Sequence, residues 1–325
     1  MCRHILVTGA AGFIGSHLID SLLADGARIT GVDNLVRGRR AHLAAALAHP
    51  RFHFLEADAA DSGSLRRAFE AALSRGPVDC VWHMASNSDI GAGVADPGID
   101  LRDTYLTTFH TLRLMREFRI PRLSFASSSA VYGNHPGMLH EDSGPLFPIS
   151  NYGAMKLASE ALISAAVESF LKQAWIFRFP NVVGTRATHG IIYDLLHKLA
   201  KDPPDLEVLG DGTQQKPYLH VSELVGAMRF IVRHASERLN YFNIGVRDEG
   251  ATVKFIAEEV LRQVAPGVPI RFIGGSSGWV GDVPRFRYCV EKLAALGWEP
   301  RLKSTDAVRR AVSEMRQEVP VSCRS

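Results

Sequence analysis

Short apolar runs alternate with amphipathic stretches along the first 180 residues of the chain. Ile5–Thr8, Arg28–Val32, Phe52–Glu56, Val78–His83, Arg122–Ala126 and Trp175–Arg178 read as strands. Between them apolar residues recur at helical spacing, as at Ile14, Leu18, Leu22 and Leu23, or at Leu65, Phe69 and Leu73. Strands alternating with helices predict an α/β chain built on a doubly wound parallel sheet. After Pro180 the pattern loosens into loops rich in Gly, Pro and Asp (Asp202–Asp205, Gly210–Gly212, Gly274–Gly281) around a few helices. Two domains are expected: residues 1–180, completed by about 219–246, and a smaller C-terminal α/β domain over 181–325. No internal repeat or low-complexity segment is visible, and the C-terminal end reads as a frayed tail.

Composition narrows the partners. With 325 residues, 46% of them hydrophobic, the chain has enough apolar side chains for a substantial core. Its formal charge of +3 comes from 37 basic and 34 acidic residues spread along the sequence, so no nucleic-acid footprint is expected and an anionic small molecule fits better. The four cysteines, Cys2, Cys80, Cys289 and Cys323, contain no Cys-x-x-Cys pair, which points away from zinc and disulfides and toward a reducing cytoplasm. The 13 histidines show no His-x-x-x-His cluster, so no metal is expected. No stretch approaches about 18 apolar residues, and the chain enters a strand at once, so a soluble, unprocessed protein without a membrane span is expected.

The first strand runs into Thr8-Gly9-Ala10-Ala11-Gly12-Phe13-Ile14-Gly15, and a helical stripe follows directly. Glycines at such a strand-to-helix turn make a pyrophosphate site: Gly9 for the turn, Gly12 for close approach of backbone to phosphate, Gly15 for helix–strand packing. The second strand ends at Asp33, 18 positions beyond Gly15, where a carboxylate reaches the ribose hydroxyls of a dinucleotide. Asp33 repels a 2′-phosphate, so NAD is favoured over NADP. The nearby Arg37, Arg39 and Arg40 keep the phosphorylated cofactor as a minority reading.

Further along, Ser127-Ser128-Ser129 follows the strand at Arg122–Ala126, and Tyr152 precedes Lys156 by one helical turn. A phenol with an ordinary pKa near 10 is a poor base at neutral pH, but a lysine ammonium and a cationic nicotinamide favour its phenolate. Tyr152 is therefore the expected base and Ser128 the expected proton relay. With the glycine turn and Asp33, this completes a Rossmann-type oxidoreductive site.

These residues together resemble the extended short-chain dehydrogenase/reductases, in their NAD-dependent sugar-nucleotide epimerase/dehydratase branch, over almost the whole chain. The resemblance implies a NAD site formed by Gly9, Gly12, Phe13, Ile14, Gly15, Asp33, Asn34, Arg37, Gly38, Asp58, Ala59, Met84, Ala85, Ser86, Tyr152, Lys156 and Phe179. It implies a UDP-sugar site formed by Ser127, Ser128, Ser129, Tyr152, Asn181, Thr185, Arg186, His189, Gly190, Lys216, Tyr218, Asp282 and Phe286, with 181–325 as the substrate domain. A homodimer through the helices near Asp103–Phe118 and Tyr152–Phe170 is implied as well. Two positions depart from the family pattern. Lys216-Pro217 stands where an Arg-Asp pair is usual, which keeps a charge but loses the bidentate fork. Ser276-Ser277-Gly278-Trp279 stands where many relatives carry a diphosphate-binding arginine.

The resemblance leaves the reaction open among 4-epimerisation, 4,6-dehydration, uronate decarboxylation and simple ketone reduction. Relatives that eliminate water carry an Asp-Glu pair after the catalytic hydroxyl residue, and decarboxylating relatives keep the Glu; here those places hold Ser129 and Ala130. Without a further acid or base, the 4-keto sugar turns over and takes its hydride back, which is epimerisation. Arg186 suggests a C6 carboxylate, so UDP-glucuronate/UDP-galacturonate is the favoured pair and UDP-glucose/UDP-galactose the other. Phe286 is expected to exclude N-acetyl sugars. A non-catalytic NAD sensor is the reading from another class, and the intact Tyr152 and Lys156 speak against it.

Overall fold

The computed structural model describes residues 3–135, 137–275, 283 and 285–319. The chain divides into two compact units, the first formed by 1–133, 144–178 and 228–242, the second by 134–143, 179–227 and 243–325.

The first unit is built on seven strands: β1 (His4–Thr8), β2 (Arg28–Asp33), β3 (Phe52–Glu56), β4 (Cys80–His83), β5 (Arg122–Ala126), β6 (Gln173–Arg178) and β7 (Leu239–Asn243). Their order across the sheet is β7-β6-β5-β4-β1-β2-β3, and the pairs from β3 through β6 are parallel. The direction of winding reverses beside β1, and the crevice at such a switch point is where open α/β sheets bind ligands. Strands β3 and β5 have the expected bounds. Strand β1 begins one residue early, at His4, because the imidazole is buried and bonded to Thr30 Oγ at 3.0 Å rather than exposed as a polar start. One core cluster packs apolar side chains from the strands and the helices beside them, among them Leu6, Leu65, Phe69, Leu114, Met115, Phe125 and Ile163. Trp82 and Phe177 stack with ring centroids 5.8 Å apart.

The second unit packs the helices Ile191–Leu199, Val253–Val264 and Ser304–Met315 around Leu195, Leu196, Ile256, Val260, Val308 and Val312. Its strands are short pairs: Asn181–Val183 with Tyr218–His220, Leu206–Val208 with Ile270–Phe272, Met138–Leu139 with Arg287–Tyr288, all parallel, and Gln215–Lys216 antiparallel to Ala251–Thr252. Among the described residues no helix is long and apolar enough to cross a membrane.

Candidate active site

The cofactor cradle is made almost entirely of backbone. Gly9 has φ +69°, and a Cβ there would lie 2.7 Å from the Ala85 nitrogen; a Cβ on Gly15 would lie 2.0 Å from the Gly9 carbonyl oxygen. Only glycine permits that closeness. The helix Phe13–Ala24 starts at Gly12 with no side chain capping it, leaving its first N–H groups for an anion. Asp33 is buried and binds this turn from behind, one carboxylate oxygen accepting from Ala11 N at 2.9 Å and the other from Leu35 N at 2.8 Å. Burial pushes its carboxyl above the usual range, against the pull of those N–H groups. A glycine turn of this geometry fits a dinucleotide. Gly38 packs on Asp33 and Ala11, and Asn34 is exposed at the mouth of a shallow pocket lined also by Glu56, Ala57, Asp58 and Ser64. Ala59 is buried beside Asp58, whose Oδ1 accepts from Ala60 N at 2.9 Å. On the other flank of β1, Met84 N donates to Thr8 O at 3.1 Å, Ala85 N to Thr8 Oγ at 3.3 Å, and Ser86 Oγ bonds Thr104 Oγ at 3.2 Å. Arg37 pairs with Asp89 at 2.7 Å and the Arg40 guanidinium lies 5.3 Å from the Phe54 ring centroid.

The reactive side chains gather at the ends of β4 and β5. Ser150 caps the helix Asn151–Ser169 by accepting from Gly153 N at 3.1 Å. A Cβ on Gly153 would lie 2.5 Å from the Ala130 carbonyl oxygen, so this glycine lets the helix close on the turn Ser129–Tyr132. That contact sets Tyr152 close enough to Ser128 for the serine hydroxyl to favour the phenolate. Lys156 follows one turn later, buried, its Nζ donating to Ala126 O at 2.6 Å and lying 5.7 Å from the Tyr152 ring centroid. Burial pushes the Tyr152 phenol up to about 12, with Ser128 pulling it down and Asp100 pushing it further up. The same burial pulls Lys156 down to about 7, opposed by Glu160 and Asp100. The sequence predicts that Lys156 lowers the phenol; in the chain alone burial raises it instead, with Ser128 pulling the other way.

Three further groups complete this site. Glu160 takes a bidentate pair from Arg178, with Nη2–Oε2 at 2.6 Å, and both are buried. Burial works against the Arg178 charge, but Glu160 and the Tyr132 hydroxyl, accepting at 3.0 Å, hold it above its ordinary value. Ser127 is the first correction: expected at the substrate, it is fully buried and its hydroxyl donates to Glu160, because the carboxylate would otherwise keep a lone pair without a donor. Asp100 is also fully buried. Its Oδ1 accepts from Asn87 Nδ2 at 2.9 Å and Thr104 Oγ at 3.3 Å, while its Oδ2 has no partner among the described residues. It closes the short helix Pro97–Asp100 and leads into a π-helical turn over Leu101–Leu106. His83 bonds Thr8 Oγ at 2.7 Å and Thr108 Oγ at 3.2 Å, and burial, with Lys156 adding, lowers it to about 3. It stays neutral at any working pH. Glu160 had a readable signal, since it continues the four-residue spacing of Tyr152 and Lys156; Asp100 had none.

The remaining expected substrate residues belong to the second unit. Asn181 is exposed on its short strand and Thr185 is half-buried, as is Phe179, expected at the cofactor. Arg186 has φ +64°, and its N–H points at the Glu318 carboxylate at 3.1 Å. His189 and Gly190 are exposed, Gly190 as the residue before the helix Ile191–Leu199. Lys216 is half-buried on its strand. Tyr218 is the second correction: only 5% exposed, it packs in the unit's core, because its strand is covered by the helix Ser304–Met315. Phe286 meets Tyr288 edge-on at 5.8 Å. Asp282, with Trp279, lies outside the described residues. Among the described residues no three His, Cys, Asp or Glu side chains are placed to hold a metal.

A glycine turn, a buried aspartate at the end of the second strand and a Ser-Tyr-Lys trio on a doubly wound sheet are the parts of a dinucleotide-dependent oxidoreductive site. Residues 5–245 match the model of the NAD dependent epimerase/dehydratase family, and the chain belongs to that family. It is 27% identical over 320 residues, 96% of this chain and 98% of the other, to a putative UDP-glucose 4-epimerase of Methanocaldococcus jannaschii. Among solved structures, a UDP-galactose 4-epimerase superposes with a TM-score of 0.84 at 32% identity, covering 97% of this chain and 99% of that one. The UDP-glucose 4-epimerase of Thermus thermophilus, in complex with NAD, superposes with a TM-score of 0.83 at 27% identity, covering 96% and 99%. The cofactor is NAD.

Proposed function

We propose that this chain is a UDP-hexose 4-epimerase that works in the cytoplasm through a 4-keto sugar. The observation that carries the reading is Tyr152 with Lys156 one helical turn away, the Lys156 Nζ 5.7 Å from the Tyr152 ring centroid, beside a Ser128 that is followed by Ser129 and Ala130 rather than an acidic pair. Bound NAD supplies a hydride acceptor and a positive charge that favours the phenolate. Tyr152 takes the C4 hydroxyl proton through or beside Ser128, Lys156 holds the charge balance, and the same proton returns once the keto sugar has turned its other face. Gly9, Gly12, Gly15 and Asp33 hold the dinucleotide.

Neutral UDP-glucose and UDP-galactose are the proposed pair, in keeping with the relatives. The Glu318 carboxylate on the Arg186 backbone makes the surroundings of Arg186 less welcoming to a second carboxylate. UDP-glucuronate is the second reading, favoured by the Arg186 guanidinium itself. The test is turnover of purified protein on UDP-galactose, UDP-glucuronate and UDP-N-acetylglucosamine, with Arg186→Ala alongside. Preference for UDP-galactose with an equal loss on both sugars in Arg186→Ala supports the first reading. Preference for the uronate, lost selectively in the variant, establishes the second. Appearance of a 4-keto-6-deoxy or pentose product overturns epimerisation. We further propose a homodimer through the helices near Asp103–Phe118 and Tyr152–Phe170, the first of which leaves Phe109 39% exposed; Phe109→Glu then yields monomer in light scattering.

A further inference from the structure

We propose that Arg37 and Asp89 form an ionic strap across the mouth of the dinucleotide groove, which has to open before NAD leaves. The argument begins with sheet order. Strand β1 lies between β2 and β4, so the glycine turn after β1 is flanked by the loop after β2 and the loop after β4. Arg37 belongs to the first of these loops and Asp89 to the second, and their side chains meet at 2.7 Å. An ion pair joining the two outer loops spans the end of the middle strand, where a pyrophosphate rests on the helix N-terminus.

Both ends of the strap are anchored. On the β2 side, Gly38 packs against Asp33 and Ala11, Arg39 N donates to Ala11 O at 3.1 Å, and the His42 ring bonds the same carbonyl at 2.9 Å. On the β4 side, Asp89 exchanges two hydrogen bonds with Asn87, each 2.8 Å long. The Asp89 carboxylate divides its work: Oδ1 caps the helix Ile90–Ala95 by accepting from Ala92 N at 3.0 Å, and Oδ2 takes Arg37. The carboxylate is thus held in place before the guanidinium arrives, which reduces the entropy cost that makes most exposed pairs weak. The side chains are 38% and 45% exposed, so the strap is open to salt. It also engages one of the three arginines of this loop, Arg37, Arg39 and Arg40, in an ion pair.

The inference rests on the cofactor and not on the sugar, so its test contains no sugar and leaves the proposed function standing whatever its result. NAD-loaded full-length protein is mixed with excess alcohol dehydrogenase and ethanol, and release is followed as the rise in ultraviolet absorbance of the NADH formed. Arg37→Ala, Asp89→Asn, which keeps a good helix cap, and the double variant are compared with wild type. The expected result is release about five-fold faster in each single variant at low salt, which is about 1 kcal/mol at 1.4 kcal/mol per factor of ten. The double variant is expected to be no faster than either single one. Wild-type release is expected to accelerate with sodium chloride while the variants stay flat, a comparison that needs no variant to be fully stable. Additive singles overturn the strap. So does slower or unchanged release in Asp89→Asn beside faster release in Arg37→Ala, because Arg37 then serves the cofactor's phosphates directly.

Discussion

The cofactor cradle at the end of β1 and the reactive cluster at the ends of β4 and β5 are neighbours on one sheet, built on opposite strategies. The cradle works through backbone: glycines that admit close approach, a helix start without a cap, and one aspartate tied to two N–H groups. The reactive cluster works through buried side-chain charge, with Lys156 and Arg178 set against Glu160 and Asp100. A backbone site is insensitive to pH and intolerant of added atoms. A buried ionic site tolerates shape changes better but feels every lost charge. Four substitutions separate the two.

Tyr152→Phe should lower kcat by about 10³-fold, within the range for loss of a general base, while the purified variant still carries NAD. Loss of the cofactor together with activity would mean that the two regions are not separable. Next in size is Glu160→Gln, which leaves Arg178 buried against a neutral partner and should cost about 3–5 kcal/mol in urea unfolding. A cost under about 1 kcal/mol would show that Tyr132 and water suffice for the guanidinium. Gly15→Ala probes the cradle: its methyl meets the Gly9 carbonyl, so about 1–3 kcal/mol of stability and most retained NAD should be lost, with no change in pH profile.

The smallest effect is a pH dependence. In the cofactor-free protein Lys156 titrates near 7 when folded and near its ordinary value of 10.5 when unfolded. Between those values the unfolded chain binds more protons, so Lys156 costs most stability below pH 7, and that cost fades as pH rises. Lys156→Met should therefore raise the melting temperature over wild type at about pH 6, with the gain shrinking toward about pH 9. A gain that is constant over this range would place the lysine's penalty in packing rather than charge. Tyr152, pushed up to about 12, works the other way above its ordinary value of 10, where the unfolded phenol ionises first.

The same contrast explains what the sequence disclosed. Gly9, Gly12, Gly15 and Asp33 are legible because backbone geometry ties residue type to spacing within one turn. Tyr152 and Lys156 are legible because a helix sets both on one face. Asp100, Asn87 and Thr104 meet only after β4, its loop and a π turn have folded, and no spacing announces them. Ser127 is misread for the same reason: adjacent serines look alike in a sequence, whereas strand β5 points one at Glu160 and leaves its neighbour for Tyr152. Tyr218 shows the converse, a polar-tipped aromatic whose ring belongs to a core the sequence showed only faintly.

The π turn at Leu101–Leu106 acts as a phase shifter. One surplus residue in a helix rotates everything beyond it by about 100° relative to everything before it. Upstream of the turn, Asp100 reaches Asn87; downstream, Thr108 reaches His83, and Leu112, Leu114 and Met115 enter the core. Without the surplus residue one of these alignments would be lost. A chain one residue shorter here would have to choose between a buried carboxylate beside Lys156 and a well-seated helix, so length in this segment is under the same constraint as identity at the reactive positions.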